Sequence, residues 1–433
     1  MKKRIMVDMS VTILHHGHIR LLKKASKLGN VIVGLVTDKE VRSKKGYTPE
    51  ISFKYRKEIL ESIKYVYEVV PTPWLVDDKV LRKYNIDLLV HGSDNSNLVP
   101  KKKLKIFPRT RDTSSTDIRS GSLLSFTQIN NQKLMLTPGP ASVLYENIKN
   151  LKPLYDRGDR EYEGIFNNVM SWIKKISQQD DLIAMQGSST FAIELALSSF
   201  VSGNVLIIST GFYSDRLKVL SPKNCKITFC SQEKVTTINT SFDWILCVYS
   251  DTSSAIKVDL KKVKNLADKI GAKLFVDATA SIGLEANHGL ADLLTFSSYN
   301  GLFGLTGAAF IAHKSDLKNK TLDRFYLNIE THRQKLVTGP CHAIASLNSI
   351  VSNHQVYKQR VLNSKNAILE KYNSKVRKYN QPILCTYLDG KVIPNDENVV
   401  LYEPKTQLSG SVICHLGEIH QDEVNLTNRI SLI

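Results

Sequence analysis

Apolar runs alternate with amphipathic stretches through the first hundred residues. RIMV closes at Val7, and VIVGLV (31 to 36), YVYEVV (65 to 70) and IDLLVHG (86 to 92) follow it. Between the first two, Ile19, Leu21, Leu22 and Leu28 fall among Arg20, Lys23, Lys24 and Lys27, the spacing of an amphipathic helix with a basic face. Residues 53 to 63 and 76 to 84 read as further helices. This βαβ alternation predicts an α/β fold with a parallel, doubly wound sheet, whose ligands bind at the carboxyl ends of the strands. SFTQINNQK, residues 125 to 133, is polar and unpatterned and reads as a linker. It divides the chain into a domain over 1–124 and another over 134–433. In the second, KLFVDATASIGL (273 to 284) is an apolar strand ending in Asp277. A helical stretch at 356 to 372 opens a small C-terminal lobe.

Length agrees with that division, since 433 residues exceed one ordinary domain. A charged fraction of 23% and a hydrophobic fraction of 42% fit globular protein and argue against disorder. No apolar run approaches the roughly 18 to 20 residues of a membrane span. MKKRIMVDMSV carries basic residues without the long apolar core of a signal peptide. The six cysteines lie beyond residue 220 without CxxC spacing, which disfavours a zinc site or disulfide framework and makes a reducing cytoplasm the expectation.

Charge is unevenly placed. Residues 1 to 130 hold 25 Lys and Arg against 13 Asp and Glu, so +12 of the net +18 lies in the first domain. KKKLK at 101 to 105 is the best support for nucleic-acid binding, but no recognised nucleic-acid motif accompanies it. The surplus suits a domain that handles a polyanionic small molecule, and no nucleic-acid partner is expected.

The candidate chemistry starts at LHHGHIRLL, residues 14 to 22, where a strand turns into a helix. His15 and His18 fall at the first turn, where unsatisfied backbone N–H groups and the positive dipole end attract phosphate. Gly17 removes a side chain that would keep a phosphate from the backbone. Two solvent-facing histidines in a loop would fit the same four letters, so the rest of the domain decides.

Taken in order, HHGH, VIVGLVTDKEV (31 to 41), KKG (44 to 46), YRKEILESIKYVYEVVP (55 to 71), IDLLVHGSD (86 to 94) and PRTRDTSSTDIR (108 to 119) resemble the HxGH nucleotidyltransferases. The similarity is to the cytidylyltransferases acting on glycerol 3-phosphate and on phosphonates. It implies a Rossmann-like domain in which a phosphate or phosphonate oxygen attacks the α-phosphorus of CTP, accompanied by Mg2+, and pyrophosphate leaves. It also implies that His15 and His18 donate to the triphosphate in the transition state. Lys44 or Lys45, Arg109 and the Ser114, Ser115, Thr116 run would cradle its phosphates. Arg56 is then a phosphate or substrate contact, and Asp94 and Gly17 line the nucleotide and substrate site. Ser114 also suits a helix N-cap, a role compatible with phosphate binding. Two positions depart from the family: Thr12 replaces an aspartate three residues before His15, and HGSDN replaces an HGDDW-like segment, with Ser93 for an acid and Asn95 for tryptophan.

From LMLTPGPASV (134 to 143) onward the chain resembles class V aminotransferases of fold type I, in particular 2-aminoethylphosphonate:pyruvate aminotransferases. QGSSTFAIELAL (186 to 197) matches the loop that cups the cofactor phosphate, through Ser188, Ser189 and Thr190. Asp277 matches the carboxylate that pairs with the pyridine nitrogen. TGPCHA (338 to 343) is similar to the family's TPPTH turn. In SSYNGLFGLTGAAFIA (297 to 312) the resemblance places the Schiff-base lysine at Asn300, and a carboxamide forms no aldimine. Val412, in SVIC, takes the place of the arginine that holds a substrate carboxylate. The expectation is a degenerate site without a covalent pyridoxal phosphate (PLP) aldimine.

Together these readings point to a cytoplasmic cytidylyltransferase that uses CTP and a small phosphonate, with a catalytically silent transaminase-like domain and a homodimeric assembly. The alternatives are a bifunctional cytidylyltransferase and aminotransferase, a glycerol-3-phosphate cytidylyltransferase, and a non-catalytic scaffold.

Overall fold

A computed structural model describes residues 2–110, 114–130, 133–139, 143–152, 155, 158–417, 419 and 426–433. The chain divides into two compact units, Met1–Ile129 and Asn130–Ile433.

The first unit runs β1 (Arg4–Met9), α1 (His16–Ser26), β2 (Asn30–Val36), α2 (Asp38–Lys45), α3 (Phe53–Glu61), β3 (Glu68–Thr72), α4 (Asp78–Lys83), β4 (Leu88–Gly92), β5 (Leu104–Phe107) and α5 (Ser115–Asn130). Its sheet has the order β3-β2-β1-β4-β5, with every neighbouring pair parallel. Helices cover both faces, which is why the strands read as unbroken apolar runs. Ile5, Val7, Val31, Val33 and Leu35 meet Leu22, Ala25 and Leu60 on one face. Met6, Ile32 and Leu89 meet Val76 and Leu81 on the other. Chain order reverses between β1 and β4, so the carboxyl ends of these strands form the crevice where such sheets bind ligands.

Three local features differ from the sequence expectation. Strand β1 continues past Val7 through Asp8 and Met9, both buried. The KKG stretch, for which the apolar pattern predicts no element, is the end of helix α2. Thr37 caps that helix, Asp38 and Glu40 occupy its first turn, and Arg42, Lys44 and Lys45 its last. That charge order complements the helix dipole, and Gly46 at φ +73° ends the helix in the left-handed conformation that favours glycine. Finally, α5 carries residues 125–130 of the stretch read as a linker in helical form, while residues 131 and 132 lie outside the described residues.

In the second unit a seven-stranded sheet follows the order Asp181–Gln186, Ala308–His313, Leu293–Ser297, Lys273–Asp277, Trp244–Val248, Asn204–Ser209, Lys226–Ser231. Strand Ala308–His313 is antiparallel to both neighbours and the other pairs are parallel. Two apolar clusters fill its faces, one around Phe296, Phe310 and Val276, the other around Leu195, Leu246 and Phe275. SVIC forms strand Ser411–Cys414, paired antiparallel with Cys385–Leu388 in a separate small sheet.

Candidate active site

Helix α1 begins in an unusual cap. His15 is extended (φ −144°, ψ 169°) and its Nδ1 accepts the Gly17 N–H at 3.2 Å. The Nδ1 of His18 accepts the His15 N–H at 3.3 Å, completing a reciprocal capping box made of imidazoles. A neutral imidazole that accepts through Nδ1 carries its proton on Nε2, so both rings are set as Nε2–H donors. The rings lie 3.8 Å apart between centroids. Burial, then the His15, Lys45 and Arg109 charges, push the His18 pKa down to about 3; burial first and then His16 and Arg109 lower that of His15. Gly17 is needed here, since a Cβ would press on the His15 ring at 3.0 Å. Leu22 and Ala25, fully buried on the same helix, fix α1 to the sheet.

His15, Gly17 and His18 share a cavity of about 290 Å³ with Lys45, Asp94, Arg109, Ser114, Ser115 and Thr116. Lys45 Nζ donates to Ser10 Oγ at 3.3 Å and lies over the Trp74 ring. Ser114 caps α5, its Oγ accepting the Asp117 N–H at 3.0 Å, and also lines the cavity. Ser115 donates to the Ile13 carbonyl at 3.2 Å. Asp94 stands 3.7 Å from both His91 Nδ1 and Arg109 Nη1. Arg111, Asp112 and Thr113 of the PRTRDTSST run lie outside the described residues.

Two expected contacts are corrected. Lys44 is exposed on α2 and does not line the cavity, because one residue along a helix turns a side chain by about 100°. Arg56 is 1% exposed and is not a phosphate contact. Its guanidinium donates to the carbonyls of Ser10, Val36 (3.1 Å) and Ile51 (3.0 Å) and to Asp38 Oδ1 (2.6 Å). These bonds fasten the chain beyond β1 to the end of β2, and Ser10 in turn holds Lys45. Arg56 is a positioning residue.

A second cavity, of about 160 Å³, lies in the second unit. Ser188, Ser189 and Thr190 line it at the start of helix Ser189–Phe200, together with Arg216, Asp277 and Asn300. Arg216 Nη1 donates to Thr190 Oγ1 at 3.3 Å. Asp277 is buried at its strand end, accepts the Thr279 N–H at 3.0 Å, and is held by that burial above the usual carboxylate range. Asn300 is 5% exposed; its Nδ2 donates to the Thr279 carbonyl at 2.8 Å and its Oδ1 is unpartnered. Gly139 packs against that oxygen so closely that a Cβ would stand 2.2 Å away. No lysine is among the described residues lining this cavity. Lys314 donates to the Gln178 carbonyl instead, and Val412 is buried among Tyr387, Leu384 and Cys414.

The cytidylyltransferase-like family model matches residues 12–121. A glycerol-3-phosphate cytidylyltransferase of Bacillus subtilis is 33% identical over 122 residues, which cover 27% of this chain and 95% of that protein. The chain belongs to the cytidylyltransferase-like family. A 2-aminoethylphosphonate–pyruvate transaminase of Pseudomonas aeruginosa is 23% identical over 252 residues, 51% of this chain and 68% of that protein. Among solved structures, pyridoxamine-pyruvate aminotransferase from Mesorhizobium loti aligns with a TM-score of 0.58 at 17% identity, covering 66% of this chain and 88% of its own. The Thermus thermophilus aspartate aminotransferase gives 0.57 at 17% identity, over 65% and 93%. These structural matches establish an aminotransferase fold for the second unit.

This cytidylyltransferase-like chain is thus a nucleotidyltransferase fused to an aminotransferase fold. Sequence reasoning missed several cavity groups of its first unit. Arg119 lines the cavity, donates to Thr12 Oγ1 at 2.9 Å, pairs with Glu50 and stacks on Tyr47. It closes the PRTRDTSSTDIR match, so its position was visible but its role was not. Thr12 is fully buried under that arginine and does not line the cavity. Asp8 and His91 lie at the β1 and β4 ends, Asp8 interrupting an apolar strand.

Proposed function

We propose that the chain transfers CMP from CTP to a small phosphonate, 2-aminoethylphosphonate or a relative. A phosphonate oxygen forms the new bond to the α-phosphorus, the bond to the bridging oxygen breaks, and pyrophosphate leaves. The observation that carries this is the pair of neutral Nε2–H donors, His15 and His18, locked at a helix N-terminus in a cavity with Lys45 and Arg109. Nucleotidyl transfer needs little covalent help from protein, only positioning and neutralisation of spreading charge. Neutral imidazoles at this end of the helix donate without carrying a charge of their own to desolvate. Lys45, Arg109 and the start of α5 supply the positive field. Mg2+ is taken to arrive with the CTP, on its phosphates.

The acceptor rests on the second unit, whose relatives include 2-aminoethylphosphonate–pyruvate transaminases. A fold of that kind tethered to a CTP-handling one raises the local concentration of a shared compound. The 33% identity to a glycerol-3-phosphate enzyme supports the rival acceptor, glycerol 3-phosphate. The second cavity fits the phosphate and ring of PLP through Ser188, Ser189, Thr190, Arg216 and Asp277, and offers no amine for an aldimine. PLP supplies an electron sink when covalently joined to an amine substrate; here these residues would bind and orient it only. We therefore take the second unit to be silent in transamination. A homodimer is part of this reading, since class V aminotransferases resemble it and build sites across a dimer interface. A cytoplasmic setting fits six free cysteines and the lack, among the described residues, of a helix able to cross a membrane. Pyrophosphate release by the full chain, with each nucleoside triphosphate in turn, Mg2+ and 2-aminoethylphosphonate, tests the proposal. CTP should support release and ATP should not; no release with CTP would refute it.

A further inference from the structure

Asp8 is the one acid inside strand β1, at the reversal point between β1 and β4. It is 7% exposed and lines the histidine cavity. Its Oδ2 accepts from Asn97 Nδ2 at 2.9 Å and faces His91 Nε2 at 3.7 Å. Asn97 is itself fixed, its Oδ1 accepting the Val76 N–H at 2.7 Å. The other carboxylate oxygen, Oδ1, is buried with no partner. Burial holds the carboxyl above its ordinary range, against the pull of His91 and Asn97.

A buried carboxylate with one oxygen left without a partner is costly anywhere. In a cavity whose proposed occupants are a triphosphate and a phosphonate it is costlier, because both bear the same sign of charge. The placement makes sense if the part of the substrate that reaches this end is cationic. A protonated amine brings the positive charge and three donors, enough to satisfy Oδ1. The basic groups of the same cavity, Lys45 and Arg109 among them, are left to the phosphoryl end.

Building on the phosphonate reading, we infer that Asp8 is the residue that selects an acceptor bearing a positively charged amine, held in register by Asn97. Two ends then read the acceptor: Asp8 the ammonium and the histidine end the phosphonate. His91 stands beside Asp8 as the second group near the amine.

The test compares kcat/KM of the full chain, with saturating CTP and Mg2+, for 2-aminoethylphosphonate, 2-hydroxyethylphosphonate and ethylphosphonate. The wild type should prefer the amine over ethylphosphonate by about 10- to 100-fold, the worth of one hydrogen bond to a charged group. Asp8→Asn should collapse that ratio toward one, with the loss on the amine falling mainly on KM for the acceptor. The wild-type comparison stands even if the variant fails to fold. Equal efficiency of the three acceptors, or preference for the hydroxyl compound, overturns the inference while leaving phosphonate activation intact. Equal loss on all acceptors in Asp8→Asn, or a rise mainly in KM for CTP, places Asp8 on the nucleotide side and also overturns it. No pyrophosphate from any of the three would remove the parent reading together with this one.

Discussion

The backbone N–H of His15 donates to Nδ1 of His18 at 3.3 Å, so the helix cap itself decides which imidazole nitrogen keeps the proton. That bond links a local folding rule to chemistry. A protonated His18 would lose its acceptor nitrogen, break the cap and bring a second charge beside Lys45 and Arg109. Its pKa near 3 follows from burial and from those neighbours.

His18 should therefore stay neutral, protonated on Nε2, from pH 8 down to about 4.5 in the free protein. Its ring resonances, followed by NMR with His18→Gln for assignment, should not move over that range. A titration centred near 6.5 would contradict the cap. The sign for stability follows: below pH 6.5 the unfolded chain takes up a proton that folded His18 refuses, so its contribution is lost as pH falls from 6.5 toward 3. His288, lowered to about 4, and His415, to about 3, both by burial, act in the same direction.

Removing a donor should slow turnover much more than it weakens folding. His18→Ala is expected to lower kcat by roughly 10²- to 10³-fold, the usual loss for one preorganised transition-state donor. His15→Ala and Arg109→Ala should be similarly damaging, with near-normal circular dichroism. Lys44→Ala should behave as wild type and Lys45→Ala should not, because only Lys45 lines the cavity. Steady-state pyrophosphate release measures all five, and a wild-type rate in His18→Ala would dismiss this site.

Arg56→Met should act through stability. It strands the carbonyls of Ser10, Val36 and Ile51 and the Asp38 carboxylate, a loss of about 3 kcal/mol or more. Arg56→Lys should rescue little, since one ammonium does not span partners arranged for a planar fork. Chemical denaturation decides; an unchanged midpoint with a raised KM for CTP would restore the direct phosphate role.

Much of the first unit was legible because its strands are buried on both faces and print as apolar runs. The HHGH turn was legible for a different reason, since four residues at a strand-to-helix junction encode both cap and donors. What stayed hidden depended on tertiary contacts. Asp8 reads as the end of a strand, and only the sheet shows that it is buried within one. Arg56 reads as a phosphate or substrate contact, yet three carbonyls from separate segments converge on it. Lys44 and Lys45 are adjacent in sequence, and the unanticipated helix α2 separates their fates. In the second unit the strand ending at Asp277 was plain, whereas the crowding of Asn300 by Gly139 depends on a loop more than 150 residues earlier in the chain.

Asn300 allows a chemical test. Wild-type protein treated with PLP and borohydride should carry no adduct on the 297–312 peptide, and should move no amino group from 2-aminoethylphosphonate to pyruvate. Asn300→Lys supplies the missing amine and should yield an adduct there by mass spectrometry. Amino transfer should stay absent, because Val412 leaves a substrate carboxylate without a cation. A stoichiometric wild-type adduct on another lysine, with transaminase activity, would overturn the silent reading.

The most direct test of the account is a competition. The full chain is given CTP, Mg2+ and equal concentrations of 2-aminoethylphosphonate and glycerol 3-phosphate, and its products are counted by ³¹P NMR. The account predicts that the CMP–phosphonate conjugate forms in clear excess, with one pyrophosphate released for each cytidylyl product. CDP-glycerol as the main product would contradict it.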